Sequence, residues 1–278
     1  MLEAASIAPI PMPPSSRLTD VIGALPYRLQ LAGGWIDQPF VSRLNPRPPG
    51  SMVVVSLEPT VPFMDRAGMA TGTRQVARKL WRGRLPRRPP LELVEALYRA
   101  ENRGRTEPSG TQDMIGLIFP GVSRLDYDAD YRGGIYPVEI ESNNDPAVAR
   151  WLERVVHLVP VAPRPPGYAP LGRKRLTPAW VRRLGQTGKD CFAAIVARDL
   201  EKFGASLNAT MRCWAALLPD TVDHPTLPAD LRALLRHYQA NHAGAMCSGC
   251  GGGYLTVVSR EPVPGSISVR VRRAPPPP

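Results

Sequence analysis

The sequence has few aromatic residues, few cysteines and no long apolar run. Aromatic residues make up only 6% of its 278 residues, so it lacks the interleaved aromatic and basic residues on which many proteins stack nucleic-acid bases. Four cysteines are too few for a disulfide framework in a chain of this length. No apolar run approaches the ~20 residues that span a bilayer, and the opening MLEAASIAPIPMPPSS does not resemble a signal peptide. These absences predict a cytoplasmic protein with no membrane partner.

The basic charge of the chain allows three interpretations. Its formal net charge is +11, and the densest basic segment is TRQVARKLWRGRLPRRPP, Thr73–Pro90. Such a segment is typical of nucleic-acid binding. It is also typical of an arginine-rich solvated surface, or of a surface that attracts polyanionic substrates. Because no aromatic residues alternate with the arginines on a strand, we do not expect nucleic acid to be a partner.

Strand-like and helix-like segments alternate without regular βαβ units, which indicates the α+β class. Apolar and polar residues alternate in LPYRLQLAGG, Leu25–Gly34, as in a strand that enters a tight turn. A loop that begins at Gly68 leads into a helix over Thr73–Trp81. The proline-rich segment Val161–Arg175 is interpreted as a domain boundary. We therefore predict a disordered Pro-rich tail over residues 1–19, an N-terminal β/α domain over 20–165 and a C-terminal α+β domain over 170–275.

The segment HYQANHAGAMCSGCGGGYLTVV, residues 237–258, raises the question of a metal or redox site. Its C-x-x-C pair, Cys247 and Cys250, follows two histidines. Tetrahedral zinc needs four converging ligands, but His237 and His242 lie about 140° apart on the predicted helix. A thioredoxin-type pair would follow a strand and open a helix, which is the reverse of this order. The spacing thus argues against metal or redox chemistry.

The three glycines that follow, Gly251–Gly253, suggest a phosphate-binding loop instead. Consecutive residues without Cβ let the backbone approach an anion closely and direct several N–H groups at it. Turns use glycine as well, so a single glycine run is weak evidence. It becomes informative if other phosphate-binding elements occur elsewhere in the chain.

Four segments, in order, resemble motifs of the GHMP-type small-molecule kinases. RLQLAGGWIDQP, Arg28–Pro39, is similar to the first motif, most closely in the heptose-phosphate kinase and fucokinase branch. GMATGTR, Gly68–Arg74, resembles the ATP-phosphate loop, and EPSGTQDMIGLIFPG, Glu107–Gly121, resembles the segment that carries the catalytic aspartate. CSGCGGGYL, residues 247–255, resembles the third motif. Cys250 replaces an alanine there, which implies that the two cysteines have no chemical role.

The resemblance implies a fold and an activity. The fold is a two-domain α+β architecture, in which the C-terminal domain is ferredoxin-like and the active site lies between the domains. The activity is transfer of the γ-phosphoryl group of ATP, with Mg²⁺, to a hydroxyl of a sugar or sugar-like polyol. Such catalysis depends on positioning and on charge stabilisation. The implied ligands are therefore a nucleotide and a small sugar.

The resemblance also implies roles for individual residues. Asp113 matches the base that accepts the proton of the attacking hydroxyl, or orients that hydroxyl, and Arg28 matches an arginine near the transferred phosphoryl group. Glu101 matches a magnesium-binding glutamate, to which Thr71 or Thr73 adds a hydroxyl. The residues implied to contact the sugar are Gly34, Trp35 and Asp37. Those implied to bind the phosphates of ATP are Gly68, Met69, Ala70, Thr71, Gly72, Thr73, Gly249, Gly251 and Gly252.

The residues alone leave simpler interpretations open. Asp113 is also a carboxylate in the first turn of a helix, where the helix dipole favours it. Asp37 is also a residue that caps a turn. On the same simpler interpretation, Arg28 is one more surface arginine, and Glu101 is a solvated carboxylate on a helix.

Two departures from the family pattern bear on activity. Gly72 stands where the family has a serine that reaches magnesium, although a glycine there is also explained if the backbone needs a positive φ. The segment between Asp37 and Gly68 is shorter than in most members, which have strands there that help hold the base and the substrate. One hypothesis is a compact kinase. The alternative is a catalytically inactive GHMP-fold protein that binds a sugar, a nucleotide or a protein partner.

Overall fold

The computed structural model describes residues 25–274 except 46, 48, 66, 107, 228 and 229. The Pro-rich tail predicted over residues 1–19 lies outside these described residues. None of the helices in the described part of the chain is long and apolar enough to cross a membrane.

The described ranges contain eight strands and eight α-helices. The strands are β1 Tyr27–Gln30, β2 Gly50–Leu57, β3 Val122–Tyr127, β4 Glu139–Asn143, β5 Val156–Pro160, β6 Gly244–Cys247, β7 Tyr254–Val258 and β8 Ile267–Ser268. The helices are α1 Pro39–Ser42, α2 Thr71–Trp81, α3 Pro90–Glu101, α4 Gln112–Ile118, α5 Pro146–Val155, α6 Pro178–Ala197, α7 Leu200–Leu217 and α8 Leu231–Asn241. This mixture confirms the predicted α+β class.

The first sheet is antiparallel and has the order β1-β2-β3-β4. The alternating residues near the start of the described chain form β1, which pairs with β2 so that Arg28 lies opposite Ser56. All eight residues of β2, GSMVVVSL, are buried. Helices α4 and α6 pack against β2, which explains why its sequence is a nearly continuous apolar run.

The second sheet is also antiparallel and has the order β6-β7-β5-β8. Because β7 lies between β5 and β6, those two strands are parallel to each other, and helices α6, α7 and α8 connect them. This is a split β-α-β unit, as in ferredoxin-like folds. The residues that join β7 to β8 form no helix, so the second helix of a complete ferredoxin-like unit is missing.

The boundary predicted between residues 165 and 170 is not where the two sheets divide. β5 precedes it but belongs to the second sheet, and α6 follows it but packs on β2 of the first sheet. Helix α6 also packs along α7, which contacts β6. These helices therefore join both sheets in one buried core, and the predicted domains 20–165 and 170–275 are not separate packing units.

Helix α4 is stabilised from outside, because its seven residues are too few for an isolated helix in water. It packs on β1 and β2. At its C-terminal end the buried guanidinium of Arg272 donates to the carbonyl of Ile118 at 2.6 Å and to Ser56 Oγ at 2.9 Å. A cation at this end also suits the helix dipole. These contacts fix the position of the first turn, which carries Asp113.

Candidate active site

A cleft with a volume of about 260 Å³ brings together residues from all four sequence motifs. Strand β1, the loop before α2, the first turn of α4 and the glycine turn between β6 and β7 all contribute to it. The lining residues are Arg28, Gln30, Trp35, Gly68, Ala70, Thr71, Gly72, Gln112, Asp113, Arg164, Gly249 and Cys250. Segments far apart in the sequence thus converge on one cavity.

The loop that begins at Gly68 directs the N-terminus of helix α2 at the cleft. Ala70 has a left-handed backbone with φ of 54° and no side chain caps the helix, while Thr71 and Gly72 line the cavity. The first backbone N–H groups of a helix have no partner within it, and the dipole adds partial positive charge at the same end. An 11-residue helix that opens on a cleft in this way suits the phosphates of a nucleotide.

Gly68 and Gly249 lie against each other, which joins the phosphate loop to the third motif. Gly68 has φ of +77°, and a Cβ there would overlap the carbonyl oxygen of Ser248. Gly249 has φ of +126°, and its Cβ would lie 2.8 Å from the Cα of Gly68. Ser248 Oγ donates to the carbonyl of Ala67 at 2.9 Å. The two glycine loops therefore pack directly against each other, and a side chain at either position would prevent this contact.

The other two glycines assigned to the third motif do not line the cleft. The N–H of Gly251 donates to the carbonyl of Thr221 at 2.8 Å, and a Cβ at Gly252 would lie 2.9 Å from the carbonyl oxygen of Ala162. Both glycines therefore fix the shape of the turn without facing the cleft. This geometry does not favour direct phosphate contact by Gly251 and Gly252. Gly249, which lines the cleft, is in position for such a contact.

The two cysteines of the C-x-x-C differ in their surroundings. Cys250 lines the cleft, which the sequence did not indicate, and Cys247 is buried in β6. Burial raises the pKa of both thiols, that of Cys247 to about 12, so both are neutral near pH 7. Within the part of the chain that the structure describes, no group of three or more His, Cys, Asp and Glu side chains could hold a metal ion.

Arg28 and Asp113 form an ion pair at the edge of the cleft. The guanidinium is buried, with 5% of the side chain exposed, while Asp113 keeps 30% exposed toward the cavity. Arg28 Nη1 also donates to the carbonyl of Gly68 at 3.2 Å, and Thr73 Oγ1 donates to Asp113 Oδ2 at 3.3 Å. The first motif, the phosphate loop and the segment Glu107–Gly121 thus meet at the carboxylate of Asp113.

Asp37 lies beneath this pair and is fully buried. Its Oδ1 accepts from Gln112 Nε2 at 3.1 Å, and its Oδ2 has no partner within the described residues. Burial and, after it, the negative charge of Asp113 raise the pKa of Asp37 to about 7, although Arg28 lowers it. Gln112 lines the cleft whereas Asp37 does not, so a ligand in the cleft meets Gln112 first.

The remaining residues of the first motif divide between the cleft and the core. Trp35 lines the cavity with a left-handed backbone, φ of 80°. Gly34 does not line it, and its carbonyl accepts from Trp214 Nε1 at 3.1 Å. Met69 of the phosphate loop is also in the core, fully buried. Trp35 is therefore the sugar-contact candidate of this motif with direct access to the cleft.

Glu101, the candidate magnesium ligand, ends α3 just outside the cleft lining. Its Oε1 accepts from Ser109 Oγ at 3.3 Å. Burial raises the pKa of Glu101, and Asp113 adds to this through like charge, while the hydroxyl of Thr73 lowers it. Thr73 is thus close to both carboxylates. Two carboxylates beside a hydroxyl form an oxygen-rich donor set of the type that Mg²⁺ prefers.

Four residues that line the cleft had no role assigned from the sequence. They are Gln30, Gln112, Arg164 and Cys250. Gln30 follows Arg28 by two positions on β1, and strand alternation places both side chains on one face. Gln112 is adjacent to Asp113 in a recognised motif. Arg164 lies in a proline-rich segment that resembles a linker, so nothing in its sequence context pointed to the cleft.

Comparisons with known proteins identify the fold. No family model and no curated protein sequence matches the chain. Among solved structures it is similar to the mevalonate kinase of Methanococcus jannaschii, with 10% identity and a TM-score of 0.54 over 88% of this chain and 91% of that chain. It is also similar to a D-glycero-D-manno-heptose 1-phosphate kinase from Bacteroides thetaiotaomicron, with 12% identity and a TM-score of 0.50 over 90% and 95% of the two chains. The chain therefore has the fold of the GHMP-type small-molecule kinases.

Proposed function

We propose that the protein is a kinase that transfers a phosphoryl group from ATP, with Mg²⁺, to a hydroxyl of a sugar or sugar-like polyol. The observation that carries this proposal is the position of Asp113. Its carboxylate faces the same cleft as the N-terminus of α2 and is ion-paired with Arg28. A hydroxyl-activating carboxylate, a phosphate-binding helix and a cation are the parts that phosphoryl transfer requires.

The groups around the cleft fit the phosphates of a nucleotide. The N-terminus of α2 provides N–H groups and a favourable dipole, with no acidic residue in its first turn. Arg28 adds a guanidinium that lines the cleft beside Asp113. Arg28 is therefore suited to stabilise negative charge that develops on the transferred group.

The donor set near Asp113 fits a magnesium ion. Glu101 and Thr73 would hold it, and Thr71 offers a further hydroxyl at the cleft. A bound Mg²⁺ would neutralise charge on the phosphate oxygens. Gly72 contributes no side-chain oxygen, so this chain relies on its threonines for the hydroxyl that a serine supplies in similar kinases.

Asp113 and the buried Asp37 take different parts in this proposal. Asp113 accepts the proton of the attacking hydroxyl, or orients that hydroxyl by a hydrogen bond. Asp37, with its raised pKa and its bond from Gln112, holds the Gln112 amide toward the acceptor. Trp35 offers an apolar surface to the face of a polyol. Positioning by these side chains supplies the proximity that the reaction needs.

Two observations favour the alternative of an inactive GHMP-fold binding protein. Gly72 removes a metal-reaching hydroxyl, and the cleft volume of about 260 Å³ is below the ~300–1,000 Å³ of pockets that enclose a whole ligand. The reacting groups fit into such a cleft, and the base of the nucleotide would lie outside it. The two functions differ in turnover, whereas both allow binding.

A thermal-shift panel tests the proposed function. The melting temperature would be measured with ATP, GTP, CTP and UTP, each with and without Mg²⁺, and with neutral and phosphorylated sugars. A ligand at 100 times its Kd stabilises the folded state by about 2.7 kcal/mol. We expect stabilisation by at least one nucleotide, enhanced by Mg²⁺. No shift with any nucleotide would contradict both the kinase and a nucleotide-binding relative.

A further inference from the structure

Arg164 is an arginine of the cleft that the proposed reaction does not use. It comes from the irregular segment between β5 and α6, and its side chain is partly buried. Its Nε donates to the carbonyl of Gly251 at 3.1 Å, which leaves Nη1 and Nη2 for other partners. This one contact fixes the guanidinium beside the glycine turn of the third motif.

The glycine turn is shaped around this side chain. A Cβ at Gly249 would lie 2.8 Å from Arg164 Nη2, and a Cβ at Gly252 would lie 3.2 Å from Arg164 Cγ. The nearest backbone contacts at these positions are the Cα of Gly68 for Gly249 and the carbonyl oxygen of Ala162 for Gly252. Arg164 therefore packs closely against both glycines, and a side chain at either position would also press on it.

The positive charge of Arg164 has no acidic partner among the residues that the structure describes. None of the described residues forms an ion pair with it, whereas the charge of Arg28 is balanced by Asp113. The neighbouring Cys250 remains a neutral thiol because burial raises its pKa. A cation that lines a partly enclosed cleft without an anion beside it is costly unless a ligand supplies one.

We propose that Arg164 is an anion-binding residue, which takes a phosphate or carboxylate group of the ligand in the cleft. Its planar guanidinium has two nitrogens without a hydrogen-bond partner among the described residues, Nη1 and Nη2, and these can bind two oxygens of such a group at once. The anion could belong to the nucleotide or to an acidic group on the acceptor. These two sources rest on the proposed function, whereas the anion site itself does not.

The anion site is tested by calorimetric titration with inorganic pyrophosphate, without Mg²⁺ and at constant ionic strength. The wild type, Arg164→Gln, Arg164→Lys and Arg182→Gln would be compared. Arg182 is exposed on α6 and outside the cleft, so its replacement removes the same charge elsewhere. We expect pyrophosphate to bind ~10- to 100-fold more weakly to Arg164→Gln, as the loss of a charge-assisted contact implies, and Arg182→Gln to stay within about twofold of wild type.

Arg164→Lys serves as a second variant, because it keeps the charge while it loses the paired donors. We expect it to lie between the wild type and Arg164→Gln, with all melting temperatures recorded to establish that each variant is folded. Equal affinity of the wild type and Arg164→Gln would overturn the proposal, as would a wild type that binds no pyrophosphate. Since the measurement involves no turnover, a failed kinase assay does not affect it.

The source of the anion is identified by two further titrations of the same variants. The probes are Mg·ATP and glycerol 3-phosphate, with glycerol as the neutral control. A loss of affinity confined to Mg·ATP assigns Arg164 to the nucleotide phosphates, and a loss confined to glycerol 3-phosphate assigns it to an acidic acceptor. If Arg164→Gln binds both probes as tightly as the wild type does, Arg164 is not an anion-binding residue of this cleft.

Discussion

Arg28 and Asp113, 85 positions apart in the sequence, form an ion pair in which the arginine is buried and the aspartate faces the cleft. The pair joins β1 to the first turn of α4. Because Arg28 is almost inaccessible to water, it depends on Asp113 for neutralisation. The candidate catalytic carboxylate is therefore also a structural partner, and its two roles have to be measured separately.

A double-mutant cycle measures the structural role. Asp113→Asn leaves a buried guanidinium unpaired, so we expect a loss of about 2–3 kcal/mol of unfolding free energy, somewhat below the cost of breaking a fully buried pair. Arg28→Gln should cost less, and the double variant should show coupling of about 1–3 kcal/mol. Urea unfolding of the four proteins gives these values. Additive effects of the two substitutions would show that the pair does not stabilise the fold.

Two glycines of the phosphate loop should respond differently to the same substitution. Gly68 has positive φ and faces the Ser248 carbonyl, so Gly68→Ala should destabilise the fold by ~2 kcal/mol or more. Gly72 is within α2, outside the positive-φ residues and in open space. Gly72→Ala should therefore be neutral or stabilise by up to about 1 kcal/mol. Equal losses in chemical denaturation would contradict this distinction.

The idea that Gly72 needs a positive φ is wrong, because the helical backbone there accepts a side chain. A serine at this position can thus be tested for metal binding without structural cost. We expect Gly72→Ser to tighten the Mg²⁺ dependence of nucleotide binding by about 1 kcal/mol, as one recovered oxygen contact to a cation would give. Titration of Mg²⁺ at fixed ATP measures this, with Gly72→Ala as the control that lacks the hydroxyl. Identical titrations of the two variants would show that the threonines and Glu101 already complete the site.

Asp37 should make stability depend on pH. Its pKa is raised from 3.8 to about 7, so the folded chain keeps a proton that the unfolded chain releases between these values. The stability from this group is full below pH 4 and is lost as the pH rises to 7. Asp37→Asn has no such step, and between pH 5 and pH 8 we expect it to gain about 2–3 kcal/mol relative to wild type. Urea unfolding across this range tests it, with the exposed Asp190→Asn as control. Parallel pH profiles for wild type and Asp37→Asn would mean that Asp37 is ionised throughout.

Local sequence chemistry predicted the glycine loops of the cleft, but it did not predict the contacts between distant segments. The glycines at 68 and 249, for which the resemblance implied phosphate binding, both line the cleft, and their binding of phosphate stays a prediction. The domain boundary between residues 165 and 170 stays a prediction: proline content marks irregular backbone, and here that backbone connects β5 of the second sheet to α6, which packs on β2 of the first sheet. Pairings between distant segments, including that of Arg272 with the end of α4, leave no periodic signal in the sequence. The position of Arg164 in the cleft was not predicted for the same reason, because its contact with Gly251 joins distant segments.

Turnover by wild type and Asp113→Asn tests the central claim most directly. Each protein, with Asp190→Asn as a matched surface control, would be incubated with Mg·ATP and a panel of sugars and sugar phosphates. Phosphorus NMR would detect a new phosphate ester, and Mg·ATP affinity would be measured in parallel. We expect wild type and Asp190→Asn to phosphorylate at least one polyol, and Asp113→Asn to do so ~10²-fold more slowly or worse while it still binds Mg·ATP. A folded Asp113→Asn that turns over at the wild-type rate, or a wild type that binds Mg·ATP and phosphorylates no acceptor, would contradict the account.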